Sequence, residues 1–235
     1  MSIQFIAGST YATPGNTSSS FTPAVPAGLA TNDIVIAALH WLKYAIQPTT
    51  LITPGGWTLA ASYTGSGPGA IMGALLWHPY SGETGNYTFN LASYGAGTMG
   101  VCALAAYRGV STTAPIDQVQ ITPNSNTAPS VTTTAANEQI VSALLSIQGY
   151  SPMYGAPVAV QPSGDTLRES LSINNYQYYQ QIAMLSDDLL AAAGASGARA
   201  FQLGSGNTAE VATLNMICAL TNSAAPVQFT AMQMY

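Results

Sequence analysis

The chain has 235 residues, of which 48% are hydrophobic and only 6% are charged, and its formal net charge at pH 7 is −5. Soluble domains usually carry about 25% charged residues, and the four basic residues of this chain are too few to track the phosphates of a nucleic acid or to hold an anionic membrane. The longest apolar run, residues 34–42, is far shorter than the roughly 20 residues that span a bilayer.

The first half of the chain predicts short strands separated by turns rich in glycine and proline. Residues 2–10 alternate Ile3 and Phe5 with polar neighbours, which is the period-two pattern of a strand. Further strands are predicted at 17–22, 34–42, 70–77, 86–91 and 101–107, with another that ends near residue 63. Segments rich in structure breakers, such as 23–28 and 47–56, connect them.

The second half continues in the same way, with strands predicted at 116–122, 130–134, 138–147, 166–173, 176–185, 198–203, 209–220 and 227–234. Asn174 and Asn175 form a plausible hairpin tip between two of these strands. Residues 209–220 are long enough for a helix, but their β-branched side chains favour a strand. Residues 149–162 contain three prolines and predict an irregular connection.

Residues 186–194 are the one helix-like segment of the chain. Ser186 could cap the amino terminus, Asp187 and Asp188 suit a first turn, and Gly194 could close the last turn. The alternative is a loop that packs its two leucines against the core.

About fourteen to sixteen short strands at roughly ten-residue spacing, with almost no helix, indicate an all-β sandwich or barrel. Apolar strands alternate with Thr-rich ones, as the central and outer strands of a two-sheet antiparallel β-sandwich would. We expect a single domain over residues 1–235, with an irregular insertion rich in Pro and Tyr around 149–181. No sequence repeat of fixed period is visible.

Catalytic and metal-binding patterns are missing from the sequence. His40 and His78 each adjoin a tryptophan but lack the spacing of metal ligands. Serines between glycines read as turns, because no strand-to-helix elbow surrounds them, and most of the nine acidic residues stand at turns. We therefore expect no catalytic residue, metal or cofactor, and a protein that is not an enzyme. Cys102 and Cys218 are expected to be buried free thiols, with a disulfide as the alternative.

A patch rich in tyrosine and amides covers residues 174–181. Tyrosine gives rigid amphipathic contact area and the amides give planar hydrogen bonding, a combination that suits a protein partner or sugar rings. The simpler interpretation is a strand with tyrosines on both faces. The residues expected to contact a partner or a glycan are Asn174, Asn175, Tyr176, Tyr178 and Tyr179, with Trp57 as a second aromatic platform.

Residues 100–117 combine an apolar run with a lone arginine. Residues 101–107 carry no charge and suit a strand that is buried on both faces, and Arg108 follows directly. Because basic residues are so rare in this chain, we expect Arg108 to pin the end of the strand. Its expected partner is a carboxylate such as Asp117 or Asp33, or a ring of carbonyl groups.

Several short segments, taken in order, resemble a loosely defined family of β-sandwich proteins of tailed phages and prophages. The matching pieces are VPAGLATNDIVIAA at 25–38, PGGWT at 54–58, NYTF at 86–89, AAYRGV at 105–110, PID at 115–117, Asp188 with GASG at 194–197, and CAL at 218–220. The sequence departs from the family pattern at Asn32, where a glycine is expected before Asp33, and in the Tyr-rich insertion.

The resemblance implies a jelly-roll-like fold and a structural role in a virion, and it carries no catalytic residues. With the nearly uncharged surface and an amino terminus that does not read as a signal peptide, it predicts a virion component: a capsid decoration, fibre, neck or tail protein. Its expected partners are further copies of itself, as a trimer, and other virion proteins. The alternative is a carbohydrate-binding module, and a hydrolase is the weakest interpretation.

Overall fold

The computed structural model of the chain describes residues 2–13, 19–43, 50–65, 71–92, 98–149, 159–175, 179–203 and 211–223. These residues form strands, turns and loops and contain no helix. The all-β fold predicted from the sequence is confirmed.

The first half of the chain builds one large sheet and one small sheet. Its strands are β1 (Gln4–Ala12), β2 (Ser20–Phe21), β3 (Ile34–Lys43), β4 (Thr50–Ile52), β5 (Thr58–Thr64), β6 (Ile71–Pro79), β7 (Phe89–Ala92) and β8 (Thr98–Arg108). Sheet 1 has five antiparallel strands in the order β1-β8-β3-β6-β5, and the short strands form a sheet in the order β2-β7-β4.

The second half builds another five-stranded sheet. Its strands are β9 (Ile116–Pro123), β10 (Thr127–Ala128), β11 (Thr132–Thr133), β12 (Glu138–Gly149), β13 (Ala159–Val160), β14 (Thr166–Asn175), β15 (Tyr179–Leu190), β16 (Gly194–Ala195), β17 (Arg199–Ala200), β18 (Gln202–Leu203) and β19 (Val211–Leu220). Sheet 2 has the order β14-β15-β12-β19-β9, and the short strands pair as β10–β17, β11–β16 and β13–β18.

The two halves have the same topology. Numbered along each half, the long strands of both sheets lie in the order first, last, second, fourth, third. The register also agrees, since Ile34 pairs with Tyr107 and Pro79, while Gln139 pairs with Leu220 and Leu189. The fold is therefore an internal duplication, and residues at matching register positions are called counterparts below.

The bulges of the sheets repeat as well. One extra residue interrupts the pairing of the first long strand in each half, Ile6 in β1 and Asp117 in β9. A second bulge interrupts the third long strand, at Ala60 in β5 and at Arg168 in β14. A bulge bends its strand locally, so these matching positions give both sheets the same irregularities.

The two large sheets pack face to face through a shared apolar core. The central strands β3 and β12 face each other, β1 faces β14, and β5 faces β9, which is the arrangement of two units related by an approximate twofold axis. The core includes Ile36 and Ala103 from sheet 1 and Ala143 and Leu214 from sheet 2. A Cβ atom at Gly73 would clash with the Leu214 side chain, so the sheets approach closely there.

Short strands cover the outer face of each large sheet. In the first half, Phe21, Phe89 and Leu91 pack on residues of β3, β6 and β8. In the second half, the outer clusters are smaller and centre on Ile140 and on Phe201.

The sandwich is confirmed, but its two-sheet jelly-roll form is not, because further sheets lie outside the two large ones. Nineteen strands are described, more than predicted, since eight of them have only two or three residues.

Two segments whose sequences allowed a helix, 186–194 and 209–220, contribute to strands instead. Residues 186–190 belong to β15, so the predicted helix is wrong, and β19 confirms the strand predicted near 209–220. The sequence pattern misled because Asp187 and Asp188 do not cap a helix but point to opposite faces of the sheet. Part of the predicted insertion forms β14, the counterpart of β5, whereas 150–158 and 176–178 lie outside the described residues. The single-domain boundary stays a prediction.

The two cysteines are buried free thiols, as expected. Burial raises the pKa of both, that of Cys218 to about 12. They behave as small apolar residues of the sheets.

Candidate functional site

Arg108, at the end of β8, binds Asp33 at the start of β3. Its Nε donates to Oδ1 at 2.9 Å and its Nη2 donates to Oδ2 at 2.7 Å, a bidentate pair. Nη2 also approaches the carbonyl of Gly28 at 3.4 Å, and the Ala30 amide donates to Asp33 Oδ2 at 2.8 Å. Asp33 is buried, whereas Arg108 is partly exposed. This geometry joins the ends of two neighbouring strands.

Asp117, the other expected partner, lies away from Arg108 in the second half. Its two carboxylate oxygens accept hydrogen bonds from the amide and hydroxyl of Thr134, at 2.7 and 3.0 Å. Of the two carboxylates that the sequence offered to Arg108, the structure brings only Asp33 to it.

The counterpart of Asp33 is Glu138, which has no arginine. Each follows an asparagine with positive φ, Asn32 and Asn137, and Thr221 stands where the first half has Arg108. Glu138 is fully buried and neither carboxylate oxygen makes a hydrogen bond of normal geometry. Burial and the nearby Asp117 carboxylate raise the pKa of Glu138 to about 7.

Trp57 is not an exposed platform, because only 8% of it is accessible. Its ring stacks on His78 with centroids 5.1 Å apart and meets the edges of Tyr87 and Phe89 at 5.0 and 4.8 Å. The expectation that Trp57 is an exposed aromatic platform is therefore wrong, because its indole packs inward against His78, Tyr87 and Phe89.

The tyrosine-rich patch is described only in part. Asn174 and Asn175 end β14, and Tyr179 begins β15 opposite Asn175. Tyr176 and Tyr178 lie outside the described residues. β14 and β15 form a hairpin, but Asn174 and Asn175 pair within it with Gln180 and Tyr179, so the prediction that they form its tip is wrong. Contact of this patch with a partner or a glycan stays a prediction.

His78 is the centre of a polar cluster that the sequence did not single out. Its Nδ1 lies 2.8 Å from the Gly56 carbonyl and its Nε2 lies 2.8 Å from Glu83 Oε1. Both neighbours present acceptor oxygens to the imidazole ring. Burial raises the pKa of the Glu83 carboxyl, but hydrogen bonds from Ser81 and His78 outweigh it and hold the pKa at about 2.

In the second half, an ionic cluster occupies the positions that correspond to Trp57, His78 and Tyr87. The motif P-x-G-x-T-L places Trp57 and Asp165 at one position, at 54–59 and 162–167. The motif G-x-x-x-F-x-L places Tyr87 and Arg199 at another, at 85–91 and 197–203. Strand register makes Asp188 the counterpart of His78, since Val35 and Ile140 are their pairing partners.

The ionic cluster consists of Asp165, Asp188 and Arg199. Arg199 Nη1 donates to Asp165, and both Nη atoms donate to Asp188 Oδ2 at 3.1 Å. Asp165 also accepts from the Ser186 hydroxyl at 2.8 Å. The aromatic cluster of Trp57, His78 and Tyr87 and this ionic cluster join the same turn and strands in the two halves.

The replacement of the aromatic cluster by the ionic cluster indicates the role of these three positions in the fold. A catalytic site requires particular chemical groups, whereas a cross-link requires only that the position be filled and its polar atoms be paired. In addition, the Ser81 hydroxyl donates to Glu83 Oε1 at 2.6 Å, the same oxygen that His78 Nε2 approaches, and the structure shows no Ser81–His78 hydrogen bond of the kind that a nucleophile–base pair makes. In the described part of the chain, no three His, Cys, Asp or Glu side chains are grouped to hold a metal ion.

A third ionic group connects the two large sheets. Asp187 of β15 accepts from the Tyr107 hydroxyl of β8 at 2.9 Å and from Arg168 Nε at 2.8 Å. Arg168 also lies over the Phe5 ring, 4.8 Å from its centroid. Burial raises the pKa of Asp187 despite these donors. The only signal in the sequence was the adjacent Asp187 and Asp188, which in a strand serve opposite faces.

Comparison with protein-family models, with curated proteins and with solved structures finds no match. Within the described ranges, no helix has the length and apolar character needed to cross a membrane.

Proposed function

We propose that this protein is a non-enzymatic structural component of a phage virion, acting through protein–protein assembly as a homo-oligomer. The position it would hold is that of a capsid decoration, fibre, neck or tail protein. The observation that carries the proposal is the exchange of the aromatic cluster for the ionic cluster at one position of the duplicated fold. Two chemically different clusters can make the same cross-link, so the position does not depend on one set of functional groups.

The use of the charged residues supports the same proposal. Arg108, Arg168 and Arg199 each bind aspartates of the same chain, so these cations stabilise the fold. The outer surface that remains is polar and nearly uncharged, which weakens the electrostatic barrier to self-association.

The test is mass spectrometry of purified particles that carry the gene for this chain. We expect the chain in the particles at a fixed copy number relative to the major capsid protein. Absence from the particles, together with a monomer in light scattering at all concentrations, would refute the proposal. Suppose that an activity screen finds hydrolysis of a substrate and that this activity is lost in a Glu83→Gln variant. That result would replace the proposed structural role with an enzymatic one.

A further inference from the structure

The exposed large hydrophobic residues repeat between the two halves. The described residues include five of them, and four form two counterpart pairs. Leu59 and Leu167 end the motif P-x-G-x-T-L and are 43% and 42% exposed. Ile52 and Val160 precede the proline of that motif by two residues and are 53% and 44% exposed. The sequences around them differ, yet each half keeps an apolar side chain in water at both positions.

One pair, Leu59 and Leu167, lies in edge strands of the large sheets, and the other pair, Ile52 and Val160, lies in the short strands that precede them in the chain. Leu59 belongs to β5 and Leu167 to β14, and among the described residues each of these strands pairs on one side only. Because β5 faces β9 and β14 faces β1, the two edges are on opposite sides of the sandwich. We name them the β5 edge, with Leu59, and the β14 edge, with Leu167.

Charged side chains are few at both edges. Strands β4, β5 and β13 contain no charged residue. The two charged residues of β14 are directed elsewhere: Arg168 binds Asp187, and the Glu169 side chain lies against Gly8 of sheet 1. Exposed edge strands are normally guarded by charged residues against pairing with another chain. Each of these two edge strands has a bulge, but neither has charged residues that would oppose pairing with another chain.

We propose that the β5 edge of one copy binds the β14 edge of a second copy of this chain. The second copy is the partner because it brings to each edge a matching one: an edge strand with an exposed leucine and, in β14, no charged residues besides Arg168 and Glu169. Since the two edges lie on opposite sides, one contact leaves a free β5 edge and a free β14 edge. Such head-to-tail association gives a closed ring or a filament. This inference rests on the proposed assembly role and names its surface.

The test uses two single variants of the full chain, Leu59→Glu and Leu167→Glu, in light scattering after size exclusion. The wild type is expected as an oligomer larger than a dimer. Each variant alone is expected as a monomer, because every head-to-tail contact needs both edges. An equimolar mixture of the two is expected to form a one-to-one dimer, since one intact β5 edge and one intact β14 edge remain.

The matched control is Leu189→Glu, which charges the fifth exposed hydrophobic residue, 45% accessible, outside both edges. It is expected to keep the wild-type mass. Leu59→Ser and Leu167→Ser repeat the test without an added charge, and circular dichroism confirms that each variant is folded. A monomeric wild type, unchanged association of the single variants, or a mixture that stays monomeric overturns the inference. The virion role fails separately, by absence of the chain from particles.

Discussion

Asp33 and Glu138 occupy the same position in the two halves but have different partners. Asp33 binds the guanidinium of Arg108, so its negative charge is compensated. Glu138 is buried beside Asp117, and none of the described residues forms an ion pair with it. A buried carboxylate without a cation favours its neutral form, which makes Glu138 the residue whose protonation should change with pH near neutrality.

The stability of the protein should therefore fall as the pH rises from about 5 to 7 because of Glu138. Its folded pKa of about 7 lies above the ordinary 4.5, so the folded state binds the proton more tightly and stability is lost when that proton leaves. At about 1.4 kcal/mol per pKa unit, the change is about 3 kcal/mol. In the Glu138→Gln variant, this component of the pH dependence should disappear from urea unfolding curves at pH 5 and 8.

Arg108→Ala is the matched control in the first half. It leaves Asp33 buried without its cation, as Glu138 is, and should introduce the same loss of stability with rising pH. Adding Asp33→Asn to that variant should remove the effect again. An identical pH dependence in the wild type and in Glu138→Gln would contradict the interpretation.

At the scale of elements, strands that are apolar throughout could be predicted from the sequence. Residues 34–42 and 101–107 read as buried strands and lie within β3 and β8 at the centre of sheet 1. Residues 186–190 were misread because their serine and aspartates suit a helix start as well as a strand that binds ions on both faces. Local propensity could not decide, since the partners Arg168, Arg199 and Tyr107 come from distant parts of the chain.

The ionic cluster should stabilise the second half by more than a surface ion pair does. Arg199 and Asp165 are both nearly inaccessible, and removal of one partner of a buried pair costs about 3–5 kcal/mol. Arg199→Ala is therefore expected to lower the free energy of unfolding by about that amount, measured by urea denaturation.

Two control variants separate packing from charge. Arg199→Lys keeps the charge but loses the planar fork that reaches Asp165 and Asp188 together, and it should recover only part of the loss. Arg199→Met keeps much of the volume and should be nearly as unstable as Arg199→Ala. A loss below about 1 kcal/mol in Arg199→Ala, the range of exposed pairs, would show that the cluster contributes little.

For the whole molecule, the duplication was not visible as a sequence repeat. Identity between the halves is concentrated in two short motifs, P-x-G-x-T-L and G-x-x-x-F-x-L. The spacing between them changes with loop length, so no fixed period results. Register and bulges are properties of pairing between distant strands. They therefore appear only in the structure, and with them the equivalence of the aromatic and ionic clusters.

The shared core predicts that both halves unfold together. Sheet 1 and sheet 2 bury their apolar inner faces against each other, and Asp187 of one binds Tyr107 of the other. Calorimetry should therefore give one transition whose calorimetric and van't Hoff enthalpies agree. Gly73→Val, which forces a side chain into Leu214, should lower the midpoint of that single transition, whereas Gly55→Ala, with open space around it, should not. Two separate transitions would mean that each half keeps its own core without the other.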